Sequence, residues 1–210
     1  RFSVLRSPFF IFSSDEVKPL PRPDHFHPRR QGEEFGAPGT RLVGQAVDPG
    51  GEFLAGLPDG FRQPDTSFEG FLRALDAQAV RPEMVAGVMT ETYQGGNASF
   101  APPEYIQELR ASCDRQQALL IFDEVQAAFG RTGTFWGFEH YGVVPDLIAC
   151  GKGISSSLPI SAVIGREDIM GLYPPGSMTS THSANPICCA AAIANLRLID
   201  RERLVCNAAK

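Results

Sequence analysis

The chain has 210 residues, 43% of them hydrophobic and 20% charged, the balance of an ordinary soluble globular protein with one or two domains. Its formal net charge is -5 and its pI near 5.4, which argues against a nucleic-acid or anionic-membrane partner, since both need a basic surface. No apolar run reaches the length of a membrane span. The five cysteines, Cys113, Cys150, Cys188, Cys189 and Cys206, are odd in number and contain no C-x-x-C pair. A disulfide framework and a zinc site are therefore not expected, and buried reduced thiols in a cytoplasmic protein are.

In chain order, the first 64 residues form a poorly assigned, Pro-rich segment. The start, RFSVLRSPFFIFSS, is apolar with two arginines but has no initiator Met and no small-residue cleavage site. It reads as an internal stretch of a longer chain rather than a signal peptide. Pro19, Pro21 and Pro23 alternate, which forbids a regular helix or a central strand there. Arg41–Asp48 has the pattern of one strand, and Pro49-Gly50-Gly51 that of a turn.

From residue 65 the periodicity is clear. Thr66-x-x-Glu69 forms a capping box ahead of Phe68, Phe71, Leu72 and Leu75 at helical spacing. Val85–Glu91 is a short apolar run, expected as a buried strand. Pro102 and Pro103 open a helix with Ile106, Leu109 and Cys113 inward. Ala118–Val125, Asp146–Cys150 and Ser161–Gly165 supply three more strands. From Pro186 a long helix places Ile187, Ala190, Ala191, Ala194 and Leu198 on one face. Alternating helices and continuously apolar strands predict an α/β fold, a mostly parallel sheet flanked by helices.

Three places carry chemistry. Asp123 ends the apolar run Ala118–Phe122, at the strand end where open α/β sheets bind ligands. A cap or loop aspartate is the plainer alternative. Lys152 lies between Gly151 and Gly153 after another apolar run, where glycines admit close approach and desolvation would make the amine a nucleophile. The plainer alternative is an exposed turn lysine. The stretch from Ser177 to Pro186 puts hydroxyls and backbone N–H groups at a helix start, which suits an anion, although capping by Asn185 explains much of it. Neither a phosphate loop of the G-x-x-x-x-G-K-[ST] type nor a G-x-G-x-x-G after a strand is present.

Together these pieces form a pattern. Glu91-Thr92-Tyr93-Gln94-Gly95-Gly96, Leu120-Ile121-Phe122-Asp123-Glu124-Val125-Gln126, Phe129-Gly130-Arg131-Thr132-Gly133, Pro145-Asp146-Leu147, Gly151-Lys152-Gly153, Leu158-Pro159 and Thr181 to Pro186 follow in order, with 29 positions from Asp123 to Lys152. The stretch from Val85 to about Ile199 resembles the class III (ornithine/4-aminobutyrate type) aminotransferases, fold-type I pyridoxal-phosphate enzymes. The resemblance implies that residues 65–210 are part of a large, cofactor-binding domain. It implies that Lys152 forms an internal aldimine with pyridoxal 5'-phosphate and moves a proton at the substrate Cα. Asp123 would hold the pyridinium nitrogen, Val125 pack on the ring, and Gln126 bond the phenolic oxygen. Thr181 matches a threonine that binds the cofactor phosphate of a neighbouring subunit, which implies a homodimer with shared sites. Glu91 matches a glutamate that orients neighbouring groups, and a structural salt bridge is the alternative for it.

The implied activity is transfer of an amino group between an amine or amino acid and an oxo acid. Racemases, decarboxylases and aminomutases of the family share the same constellation, and a non-catalytic truncated remnant is a further alternative. This sequence departs from the family pattern in three places. Gly96 stands where a second glutamate is common, Thr92 where proline is usual, and His182-Ser183-Ala184 where the pattern is more aromatic and glycine-rich. The family's upstream Gly-Ser phosphate loop and aromatic-His-Gly segment have no match in residues 1–84, Asp24-His25-Phe26-His27 having the residue types without the pattern. Nor does a C-terminal small domain follow, so a partial chain is expected.

Overall fold

A computed structural model describes residues 41–45, 67–77, 80–96, 98–172 and 181–210. The strands are β1 (Arg41–Gln45), β2 (Val85–Glu91), β3 (Tyr93–Gln94), β4 (Ser99–Phe100), β5 (Leu119–Asp123), β6 (Leu147–Cys150) and β7 (Ala162–Gly165). The helices are α1 (Phe68–Ala77), α2 (Pro103–Gln116), α3 (Glu167–Met170), α4 (Pro186–Arg201) and α5 (Leu204–Ala208). Short 3-10 turns cover Pro82–Met84, Gly137–Tyr141 and Lys152–Ile154.

Five strands form one sheet in the order β1-β2-β5-β6-β7. The first three pairings are parallel, and β7 runs antiparallel to β6 at the edge. This is the mostly parallel sheet that the alternation of helices and apolar strands predicts. β3 and β4 form a separate small hairpin beyond the end of β2.

The elements start where local chemistry starts them. Ser67 Oγ accepts the Gly70 N–H at 3.0 Å and caps α1; Thr66, where the capping box begins, lies outside the described residues. Pro102 and Pro103 open α2, whose Ile106, Leu109 and Cys113 are buried as expected. Asn185 caps α4 by accepting the N–H groups of Ile187 and Cys188.

Helices α1 and α2 pack Phe71, Leu75, Tyr105, Ile106 and Leu109 against Val88, Leu120, Phe122 and Ile148 of the sheet. On β5 and β6 the alternate positions, Leu119, Ile121, Leu147 and Ala149, are only half-buried. Continuously apolar strands predict burial on both faces; among the described residues one face is fully covered. A second, smaller cluster joins Ala128, Phe129, Cys150 and Ile154 to Ala192 and Ile199 of α4.

The structure decides which face of α4 turns inward and corrects one expectation, that the thiols are buried. The α4 stripe that carries Ile187, Ala190, Ala194 and Leu198 is exposed, with Ile187 70% accessible, and Ala191 is half-buried. The buried line is Ala192 and Ile199, flanked by half-buried Asn195 and Leu196. The helix has two apolar stripes at i, i+3, i+4, i+7 spacing, and periodicity alone does not say which one turns inward. The thiols also differ from one another. Cys113 and Cys150 are buried, which pushes both up to about 12, whereas Cys188 and Cys189 are half-buried and Cys206 is exposed. All five are free. Among the described residues no helix is long and apolar enough to cross a membrane, and no His, Cys, Asp and Glu cluster could hold a metal.

Candidate active site

The parallel register brings three strand ends into one row. Glu91 of β2 pairs with Asp123 of β5, and Asp123 with Ala149 of β6. Neighbouring strands lie roughly 4.8 Å apart, so Asp123 sits between Glu91 and the segment that ends at Lys152. Parallel strands carry their C-terminal ends to the same edge, and there the loops that follow β2, β5 and β6 meet.

Asp123 is half-buried. Its Oδ1 accepts the Val125 N–H at 2.9 Å, which fixes the carboxyl plane, and its Oδ2 has no partner among the described residues. A local bond of this kind is what a loop aspartate makes, but it uses one oxygen and leaves the other available. Val125 then packs beside the lysine segment: a Cβ on Gly151 would lie 3.7 Å from Val125 Cγ1.

Lys152 is exposed in this chain and has no ion pair or hydrogen bond from its amine among the described residues. The desolvated lysine that flanking glycines suggest is thus not what these residues alone produce. Its backbone is constrained instead. Lys152 takes φ +38°, a left-handed conformation that costs a non-glycine residue about 1 kcal/mol or more and persists only where surroundings enforce it. The two glycines are not equivalent. At Gly151 a Cβ would meet only ordinary contacts, whereas at Gly153 it would come within 3.2 Å of Phe129 Cδ2.

Glu91 forms no ion pair among the described residues. Its Oε2 accepts the Gly95 N–H at 2.9 Å and so holds the turn after β2. Gln126 lies directly over that turn: a Cβ on Gly95 would stand 2.5 Å from Gln126 Oε1. Glu91, Gly95 and Gln126 are therefore one contact chain beside Asp123. Thr181 is exposed, in the turn that precedes α4; Ser177 to Ser180 lie outside the described residues.

Sequence reasoning missed the group that organises this edge. Glu124, between Asp123 and Val125, has a fully buried carboxylate. It accepts the N–H groups of Gly137 at 2.7 Å and Phe138 at 2.8 Å, and its own N–H donates to Ala149 O at 2.8 Å. Burial raises its pKa, against the lowering effect of the Gly137 N–H, the Thr92 hydroxyl and the Phe138 N–H. Thr92 is itself fully buried, and its carbonyl accepts the Tyr141 hydroxyl at 2.5 Å. Adjacent acidic residues give no signal as to which one turns inward. Here the inward turn depends on a loop 13 residues downstream.

The sequence model of the family described as Aminotransferase class-III matches residues 58–210. The chain belongs to the class-III aminotransferases. Similar curated proteins include the acetylornithine aminotransferase of Caldanaerobacter subterraneus, 39% identical over 66% of this chain and 34% of that protein. The 5-aminovalerate aminotransferase DavT of Pseudomonas aeruginosa is 39% identical over 78% of this chain and 39% of its own length. Among solved structures, the ornithine aminotransferase from Toxoplasma gondii, described with partial occupancy of PLP at its active site, superposes with a TM-score of 0.60. It is 33% identical and covered to 68% of this chain and 33% of its own. The chain thus spans between a third and two fifths of the length of these relatives. Class-III aminotransferases of this kind use pyridoxal phosphate.

Proposed function

We propose that this chain is the cofactor-anchoring core of a transaminase, which transfers an amino group between an amine or amino acid and an oxo acid. One observation carries the reading. Asp123 ends β5 and the Lys152 turn follows β6, its parallel neighbour, so both lie at the C-terminal ends of paired strands, in a chain whose relatives are named as aminotransferases. Those names favour transamination over racemase, decarboxylase, aminomutase or a non-catalytic remnant. Residues 65–210 are then part of the large domain.

The residues present fit pyridoxal phosphate. Asp123 Oδ2 is unengaged and its partner oxygen is pinned, so the carboxylate is oriented to pair with a protonated pyridine nitrogen. Val125 would cover the ring, and Gln126 would bond the phenolic oxygen from its seat over Gly95. Glu91 would keep that seat in place through the Gly95 N–H. Lys152 would bind covalently through Nζ and, once displaced, move the proton at Cα. When bound, the cofactor supplies an electron sink for the bonds at the substrate Cα.

Thr181 is assigned to the cofactor phosphate of a partner subunit in a homodimer with shared sites. Its exposure supports this, as do the uncovered Ile187 and Leu198 on the helix that follows. A cytoplasmic setting is supported by five free cysteines, and an acidic charge balance speaks against nucleic acid or membrane as partner.

The test is to add pyridoxal phosphate to the purified chain and record the visible spectrum. A new absorption band is expected with the wild type and its loss with Lys152→Ala. Absence of a band in the wild type would sink the proposal, and persistence of the band in the variant would remove Lys152 from its role.

A further inference from the structure

The backbone of Lys152 is left-handed, and its turn is tied by hydrogen bonds both within itself and to a distant helix. Asn195, on the third turn of α4, donates from Nδ2 to Gly153 O at 2.8 Å and to Ile154 O at 3.2 Å. These are the two carbonyls directly after Lys152, 42 and 41 positions away in the chain. The turn's own bonds include Ile154 N–H to Gly151 O at 3.0 Å, Ser156 N–H to Lys152 O at 3.1 Å, Ser155 N–H to Lys152 O, and a long bond from Ser156 Oγ to Gly153 O at 3.5 Å. Phe129 lies close to Gly153, where a Cβ would stand 3.2 Å from its Cδ2, and Ser155 Oγ donates to Leu158 O. Asn195 alone among these fixes the turn to the long helix through hydrogen bonds. It shares the inward line of α4 with Ala192 and Ile199, where the other positions are apolar.

We propose that Asn195 is a positioning residue for Lys152: its amide, by binding both carbonyls, holds the left-handed backbone from which the lysine side chain leaves. This rests on the reading of Lys152 as the residue that binds pyridoxal phosphate covalently. A polar side chain placed among apolar neighbours, with both hydrogen bonds directed at one strained turn, has that turn as its purpose.

The test uses Asn195→Leu and Asn195→Asp, which keep volume or shape and remove the donor. In the chain without cofactor, amide hydrogen exchange over residues 152–157 is expected to accelerate about tenfold, the consequence of losing roughly one hydrogen bond's net contribution, while exchange in β5 and α2 stays unchanged. Pyridoxal phosphate is then expected to bind about tenfold more weakly, by the same loss. Pyridoxine 5'-phosphate, which lacks the aldehyde that Lys152 attacks, is expected to bind as it does to the wild type. Unchanged exchange in both variants overturns the proposal. So does an equal loss for both compounds, which would mark a general structural role. A wild type without a Lys152-dependent band overturns the functional reading alone, and the exchange measurement still decides the role of Asn195.

Discussion

Glu124 keeps a carboxylate where water does not reach, and it is held there by two backbone N–H groups. Its pKa in the folded chain is raised from the ordinary 4.5, with desolvation as the leading cause. The folded state therefore keeps this proton to higher pH than the unfolded state does. Between about 4.5 and the raised value the native form binds more protons, so this group's contribution to stability falls as pH rises through that window. Glu124→Gln removes the titration. Urea unfolding across a pH series is expected to show the wild type losing stability relative to Glu124→Gln as pH increases from 4.5. Parallel profiles would count against the assignment.

The element that places Val125 and Gln126 just beyond Asp123 is the turn after β5, and it is shaped by a second element, the 3-10 turn at Gly137–Tyr141. Gly137 is the joint. A Cβ there would lie 2.6 Å from Ala127 Cβ and 2.8 Å from Thr92 Oγ1, closer than such atoms approach, while its N–H must stay on Glu124. Gly137→Ala would force the two turns apart and strain the Glu124 bonds. The expected cost is about 1–3 kcal/mol, the usual range for overpacking a filled site, read from the denaturant midpoint. A loss of spectral response to pyridoxal phosphate should accompany it if the turn carries the site. A variant as stable as wild type would show that the turns move independently.

At the scale of the whole molecule, one buried acid adds a polar tie to the apolar packing between the sheet and its helices. Asp146 Oδ2 accepts Arg110 Nη1 and the Leu120 N–H, each at 2.8 Å, and Oδ1 accepts Arg166 Nη1 at 3.3 Å. Arg110 belongs to α2 and pairs also with Asp114, while Arg166 joins β7 to α3 and pairs also with Asp168. Asp146 thus connects α2, β5, β6 and the antiparallel edge. Replacing it by Ala leaves the largely buried Arg110 without its interior counter-charge and the Leu120 N–H without an acceptor. Breaking a buried pair from one side costs about 3–5 kcal/mol, a large share of the roughly 5–15 kcal/mol that stabilises a domain. Asp146→Ala is expected to unfold at markedly lower denaturant, and Asp146→Asn, which keeps an acceptor, at an intermediate concentration. A change below about 1 kcal/mol would mean that the ions act as a solvated surface pair.

The sequence by itself determined the α/β class, the strands ending at Glu91 and Cys150, the strand that carries Asp123, which it ran on to Val125 where the structure ends it at Asp123, and the opening of α2 and α4. Each of these rests on local patterns: apolar runs, proline starts and an Asn cap act within a few residues. Asp123 and Lys152 were legible as candidates for the same reason, because each closes an apolar run. Tertiary structure alone decided the rest. Glu124 turns inward only because Gly137 and Phe138 offer N–H groups. Inward packing of Ala192 and Ile199 follows from where the Lys152 turn lies, and the rival stripe of Ile187 and Leu198 satisfies the same period. Asn195 reaches Gly153 across 42 positions. A periodicity gives the spacing of a face but not its direction, and a hydrogen bond between distant segments has no local signal until packing brings them together.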